Sequence, residues 1–216
     1  MNMDSTTTVT YSAVPPALPG FESITRYWDT KHNIYGAKII QGEFYVSINN
    51  ELITTVLGSC VSACVRDKKL GIGGMNHFML PGIAKKDTWR NSPVSKAAIY
   101  GTVAMERLIN AILSHGGNRE NLEAKLFGGG RVLDITTDVG KDNIDFVHHY
   151  LTNEKIKVVA EDLGGTHPRK VMYYPSTGRA FVKKLLKLHN DTFFIREKKY
   201  IDEIQKQPLK PDVELF

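Results

Sequence analysis

A cysteine after a Gly-Ser pair, and a histidine a short hairpin's length further on, could together turn a thiol into a nucleophile. Cys60 ends the run Thr54-Thr55-Val56-Leu57-Gly58-Ser59-Cys60, and His77 closes Gly73-Gly74-Met75-Asn76-His77. A thiol that attacks a carbonyl carbon needs a tight loop at the end of a strand, which Gly58 and Ser59 supply. Successive backbone N–H groups in such a loop, those of Ser59 and Cys60, can point at a developing oxyanion. A nearby imidazole lowers the thiol pKa and shuttles a proton to a leaving amine. The third part of such a site is a hydroxyl or carboxylate that orients the imidazole. Thr54 and Thr55 both qualify, and spacing does not choose between them. Each residue also has a plainer reading: a buried structural cysteine, a histidine satisfying a core hydrogen bond, threonines present for β propensity.

What joins these residues is an expected hairpin. Strands over 60–65 and 70–78 flank the turn Arg66-Asp67-Lys68-Lys69. Antiparallel pairing centred there brings Cys60 and His77 toward the same end. Gly71, Gly73 and Gly74 in the return strand mark a bulge or a close backbone approach. Strands over 44–48 and 52–57 precede the hairpin. A helix is expected over 93–115, with Ser92 as N-cap, Pro93 at its first position and Gly116-Gly117 as its stop. A strand over 122–127 ends in Gly128-Gly129-Gly130. A second helix over 142–153 and a strand over 156–160 follow, and Pro175-Ser176-Thr177-Gly178 reads as a hairpin turn. Strands first and helices later predict an α+β domain over 36–188 rather than a doubly wound parallel fold. Residues 1–35, rich in Ser, Thr and Pro, read as a disordered or loosely docked arm whose Phe21, Tyr27 and Trp28 can touch the body. Residues 189–216 read as an accessory C-terminal extension.

The 216 residues suffice for a core without staples, and 42% hydrophobic with 24% charged content is ordinary for a globular protein. The net charge of +5 suits an acidic partner. There is no block of five or more Lys or Arg, so nucleic acid is not expected; Lys183, Lys184 and Lys187 read as a solvated face. Two cysteines are too few for a disulfide scaffold, and Cys60 and Cys64 on one strand stand about 13 Å apart, too far to bridge. Residues 1–20 carry Asp4 and no continuous apolar run, unlike a signal peptide or membrane helix. The expectation is a cytoplasmic protein with free thiols and no membrane insertion.

Taken in order, Thr54-x-x-Leu57-Gly58-Ser59-Cys60, His77-Phe78-Met79-Leu80-Pro81, the Gly-rich strand end at Phe127 to Gly130, and Ala160-Glu161-Asp162 with Gly164-Gly165 resemble the chemoreceptor glutamine deamidases of the CheD family. The resemblance spans about residues 42–185. It implies a layered α/β sandwich with mainly antiparallel or mixed sheets and two main helices, similar to bacterial deamidase toxins. It also implies a Cys, His and Thr triad, carried by position to Cys60, His77 and Thr54, with Thr55 the rival if the loop is read with a shift. The implied reaction is hydrolysis of receptor glutamine side chains to glutamate through a Cys60 thioester, with the oxyanion on the Ser59 and Cys60 N–H groups and protonated His77 donating to the leaving ammonia. Glutamyl methyl esters are compatible with the same machinery. No metal or organic cofactor is required. The implied partners are methyl-accepting chemotaxis receptors, through their cytoplasmic helices, and, in some bacteria, a CheC-type phosphatase. Three rivals stand beside this reading, the broadest being a cysteine hydrolase with an unrelated substrate. The second is a zinc module built on Cys60, Cys64 and His77 with His115 or His148; the third is a non-enzymatic chemotaxis adaptor with a vestigial triad.

Overall fold

In the computed structural model, which describes residues 14–81, 96–132, 138–186, 195 and 199–200, two five-stranded sheets and two helices form three layers. The first sheet runs β1 (Thr25–Asp29), β2 (Ile34–Lys38), β4 (Leu52–Leu57), β9 (Arg169–Tyr174), β10 (Arg179–Lys184). The second runs β3 (Phe44–Ser47), β6 (Gly73–Asn76), β5 (Val61–Asp67), β7 (Leu122–Gly128), β8 (Lys157–Leu163). Pairing is antiparallel except for β2 with β4 and β7 with β8, so both sheets are mixed. Helices α1 (Lys96–Ser114) and α2 (Val139–Asn153) cover the second sheet, α1 against β3, β5 and β6, and α2 against β5 and β8. The expected α+β sandwich is the observed one.

β5 and β7 sit in the middle of this stack, and their apolar residues Val61, Ala63, Val65, Ala124 and Leu126 are all fully buried. Gly74 explains the glycines of β6, because a Cβ there would stand 2.3 Å from the Tyr45 carbonyl oxygen of β3. The stop after α1 is built as read. The Gly117 N–H donates to Ile112 O and the Gly116 N–H to Leu113 O, the paired bonds of a Schellman turn, with Gly116 at φ +100°. The Ser92 and Pro93 start lies outside the described residues. Helix α2 begins at Val139, three residues before the expected start, because the Asp138 side chain caps it by accepting from the Lys141 N–H.

The reading of residues up to 35 as an arm is corrected. Phe21 and Ile24 are buried in the core, and β1 and β2 form a hairpin that puts β2 beside β4. The Ser, Thr and Pro content masked two five-residue strands whose apolar members are mostly aromatic, Tyr27, Trp28 and Tyr35. A buried ion pair fixes the segment. Arg26 of β1 pairs with Glu51, whose side chain is 1% exposed and also accepts from Tyr45 Oη at 2.8 Å and Ser47 Oγ at 2.6 Å. Removing one partner of such a pair strands a buried charge. Arg26→Met should therefore lower the free energy of urea unfolding by about 3 kcal/mol. An unchanged unfolding midpoint would mean that this segment only rests on the domain.

Candidate active site

β5 and the segment after β6 place the two candidate residues. Val61 and Phe78 exchange backbone hydrogen bonds at 2.9 and 3.0 Å, continuing the register that sets Cys64 opposite Met75. His77 thus falls opposite Ser62, two positions along from Cys60. The register differs by two from a hairpin centred at 68–69. It leaves Cys60 and His77 diagonal neighbours on one face, about 7–8 Å apart between Cα atoms, within reach of their side chains. Both are shut from water: Cys60 is 0% exposed and His77 4%.

The imidazole is held from the first sheet. Thr55 Oγ1 lies 2.8 Å from His77 Nδ1 and 2.8 Å from the Ile39 carbonyl oxygen. A carbonyl can only accept, so the Thr55 hydroxyl proton goes to Ile39. Its oxygen then accepts from His77 Nδ1–H. This fixes the tautomer and leaves Nε2 carrying the lone pair. That Nε2 is buried and has no hydrogen-bond partner among the described residues, the state of a base waiting for a proton. Burial pushes His77 down from 6.5 to about 3, so the ring rests neutral and does not act on the thiol as a fixed positive charge.

Thr54 does not meet His77. Successive residues of a strand point to opposite faces. Ile53, Thr55 and Leu57 face the core between the sheets, while Thr54 faces away and donates to the Val171 carbonyl oxygen at 2.9 Å. The hydroxyl at the imidazole is that of Thr55, the rival candidate.

The loop before Cys60 is held by its carbonyls. Gly130 N–H donates to Gly58 O at 2.8 Å, Asn143 Nδ2 to Ser59 O at 2.9 Å, and Gly129 N–H to Cys60 O at 2.7 Å. In a planar trans peptide the N–H points opposite to the C=O. Anchoring Gly58 O therefore orients the Ser59 N–H, and anchoring Ser59 O orients the Cys60 N–H. Asn143, fully buried on α2, also accepts from the Leu80 N–H at 2.7 Å and so ties the loop to the strand beyond His77. Sequence reasoning missed it; the available signal was an Asn on the buried side of an amphipathic helix. Gly128 is needed where it stands, since its φ is +105° and a Cβ would lie 2.2 Å from Cys60 O. Further along the same rim, Arg169 binds Asp162 and the Gly164 carbonyl, and the Gly164 N–H reaches Gly128 O at 2.8 Å. These glycines close turns and permit close packing, their plain reading.

Further residues complete the surroundings. Gln41 Nε2 donates to Cys60 Sγ at 3.1 Å. A cavity of about 60 Å³ beside His77 is lined by Gly42, Tyr100 and Arg107 among others, and Tyr200 from the C-terminal extension meets Tyr100 through its hydroxyl. Cys64 is unbridged and 1% exposed, and burial pushes its thiol up, so it is core filling rather than a second nucleophile. Among the described residues, no three His, Cys, Asp or Glu side chains gather where one cation would bind.

The CheD family profile, described as CheD chemotactic sensory transduction, matches residues 79–184. A protein of Halorhodospira halophila named "Probable chemoreceptor glutamine deamidase CheD" is 56% identical over 204 residues, covering 94% of each chain. Proteins of the same name from Saccharophagus degradans and Methylobacillus flagellatus are 48% and 52% identical, covering 93% and 88% of this chain and 94% of their own.

The buried imidazole has a consequence for stability. Between pH 6.5 and about 3 the unfolded chain takes up a proton at His77 that the folded chain refuses. Stability contributed by this residue is therefore full above that window and falls as pH falls through it. Chemical unfolding of wild type and His77→Gln from pH 7 to pH 4 should show a shallower loss in the variant. Parallel curves would mean that His77 protonates as readily in the fold as out of it.

Proposed function

Because this chain belongs to the CheD family of chemoreceptor glutamine deamidases, we propose that it hydrolyses glutamine side chains of methyl-accepting chemotaxis receptors to glutamate, with Cys60 as nucleophile. The observation that carries this reading is the Thr55–His77 hydrogen bond, which leaves Nε2 as an acceptor on the sheet face that Cys60 shares. Cys60 Sγ attacks the carboxamide carbon while its proton passes to His77 Nε2. The oxyanion of the tetrahedral intermediate is held by the Ser59 and Cys60 N–H groups. His77, now protonated, gives its proton to the leaving nitrogen, and ammonia departs from a thioester. Water then loses a proton to Nε2 as it attacks the thioester. The second tetrahedral intermediate collapses to glutamate, and His77 returns the proton to the departing sulfur. Thr55 accepts from Nδ1–H throughout and steadies the imidazolium each time it forms.

A glutamyl methyl ester fits the same steps, with methanol leaving in place of ammonia. Chemistry by this route uses no metal or organic cofactor. The receptor's cytoplasmic helices are the substrate, which puts the enzyme in the cytoplasm, and a CheC-type phosphatase is the partner that the family resemblance adds. Among the described residues no helix is long and apolar enough to cross a membrane.

Incubation of a receptor cytoplasmic fragment with the enzyme should raise its intact mass by about one unit per glutamine converted, the difference between NH2 and OH, and Cys60→Ala should abolish the gain. Thr55→Val should lower kcat by about 100-fold and Thr54→Val by less than about twofold. A gain that survives Cys60→Ala refutes the nucleophile. A larger loss at Thr54 than at Thr55 refutes the orienting role.

A further inference from the structure

We infer that Gln41 is a catalytic residue of this site, whose side-chain N–H donates to Cys60 Sγ and stabilises the thiolate; this rests on Cys60 being the nucleophile. Neutral His77 supplies no resting positive charge to the sulfur, and the sulfur is out of reach of water. A thiolate forming in such surroundings is costly unless a donor meets it. Gln41 Nε2, 3.1 Å away, is such a donor. A hydrogen bond to the charged form favours that form, so the S–H proton passes more readily to His77 Nε2.

The placement is a property of the β2–β3 connector. Ile39 O takes the Thr55 hydroxyl proton, Gly42 N–H donates to His77 O at 2.8 Å, and His77 N–H donates to Glu43 O at 2.9 Å. Gln41 stands in the middle of a segment stitched at both ends to the imidazole and its orienter. The connector thus sets three groups at once: the Thr55 rotamer, the His77 backbone and the donor to the sulfur. A half-buried amide on an unconstrained loop would lose too much rotamer freedom to hold a sulfur contact; here the backbone on either side is already fixed.

The test is the pH dependence of Cys60 alkylation by iodoacetamide, read by peptide mass mapping in the full-length protein. Wild type, Gln41→Leu and Gln41→Glu are compared, with kcat, KM and thermal unfolding measured alongside. Leucine keeps the bulk and removes the donor; glutamate keeps the shape and sets a negative charge beside the sulfur. The alkylation midpoint should rise by about one pH unit in Gln41→Leu, making alkylation at pH 7 about tenfold slower, and should rise further in Gln41→Glu. The kcat should fall in the same order, with KM and unfolding near wild type. Unmoved midpoints in stable variants would overturn the proposal, and so would faster alkylation with a lower KM, which would mark Gln41 as an obstruction. If wild-type Cys60 resists alkylation and the wild-type enzyme leaves receptor glutamines intact, it is the nucleophile assignment that fails.

Discussion

One hydrogen bond, from His77 Nδ1 to Thr55 Oγ1, ties the chemistry to the packing of two sheets. Thr55 belongs to β4 of the first sheet, and His77 follows β6 of the second. Neither sheet alone can build the pair, which forms only when their inner faces meet over the core of Ile53, Leu57, Cys64 and Val171. Burial keeps the imidazole neutral, and the Ile39 carbonyl decides which way the threonine hydroxyl points. A two-atom relay therefore selects the tautomer, and the tautomer leaves the lone pair on Nε2.

A second constraint is just as local. The loop before Cys60 has its three carbonyls engaged by Gly129, Gly130 and Asn143, contributed by the end of β7 and by α2. These bonds fix the peptide planes that carry the Ser59 and Cys60 N–H groups. Rigidity here comes from the glycines as well as the bonds. Only a residue without Cβ lets β7 approach Cys60 O as Gly128 does.

Much of this could be read from the sequence, for physical reasons that also explain the failures. That Cys60 and His77 come to one face of the same hairpin was legible because glycine-rich turns and a short hairpin leave few places for them. The layered fold was legible because its strands and helices carry strong periodicity and clear stops such as Gly116. The orienting threonine was not legible by counting residues. In a strand a shift of one position moves a side chain to the other face, and Thr54 and Thr55 differ by that shift. The first sheet was half hidden, because β1 and β2 are short and lie in a segment whose Pro and Thr content resembles a tail. Asn143 and Gln41 depend on contacts across 84 and 19 residues respectively, which no local pattern encodes.

The central claim, that His77 rests as a neutral ring with its proton on Nδ1 and its lone pair on Nε2, is open to direct observation. Nitrogen-15 NMR of the imidazole at neutral pH reads the two ring nitrogens separately. The account predicts a protonated Nδ1 coupled to Thr55, an unprotonated Nε2, and loss of the fixed tautomer in Thr55→Val. A proton on Nε2 with Nδ1 bare, or an imidazolium protonated at both positions, would contradict it.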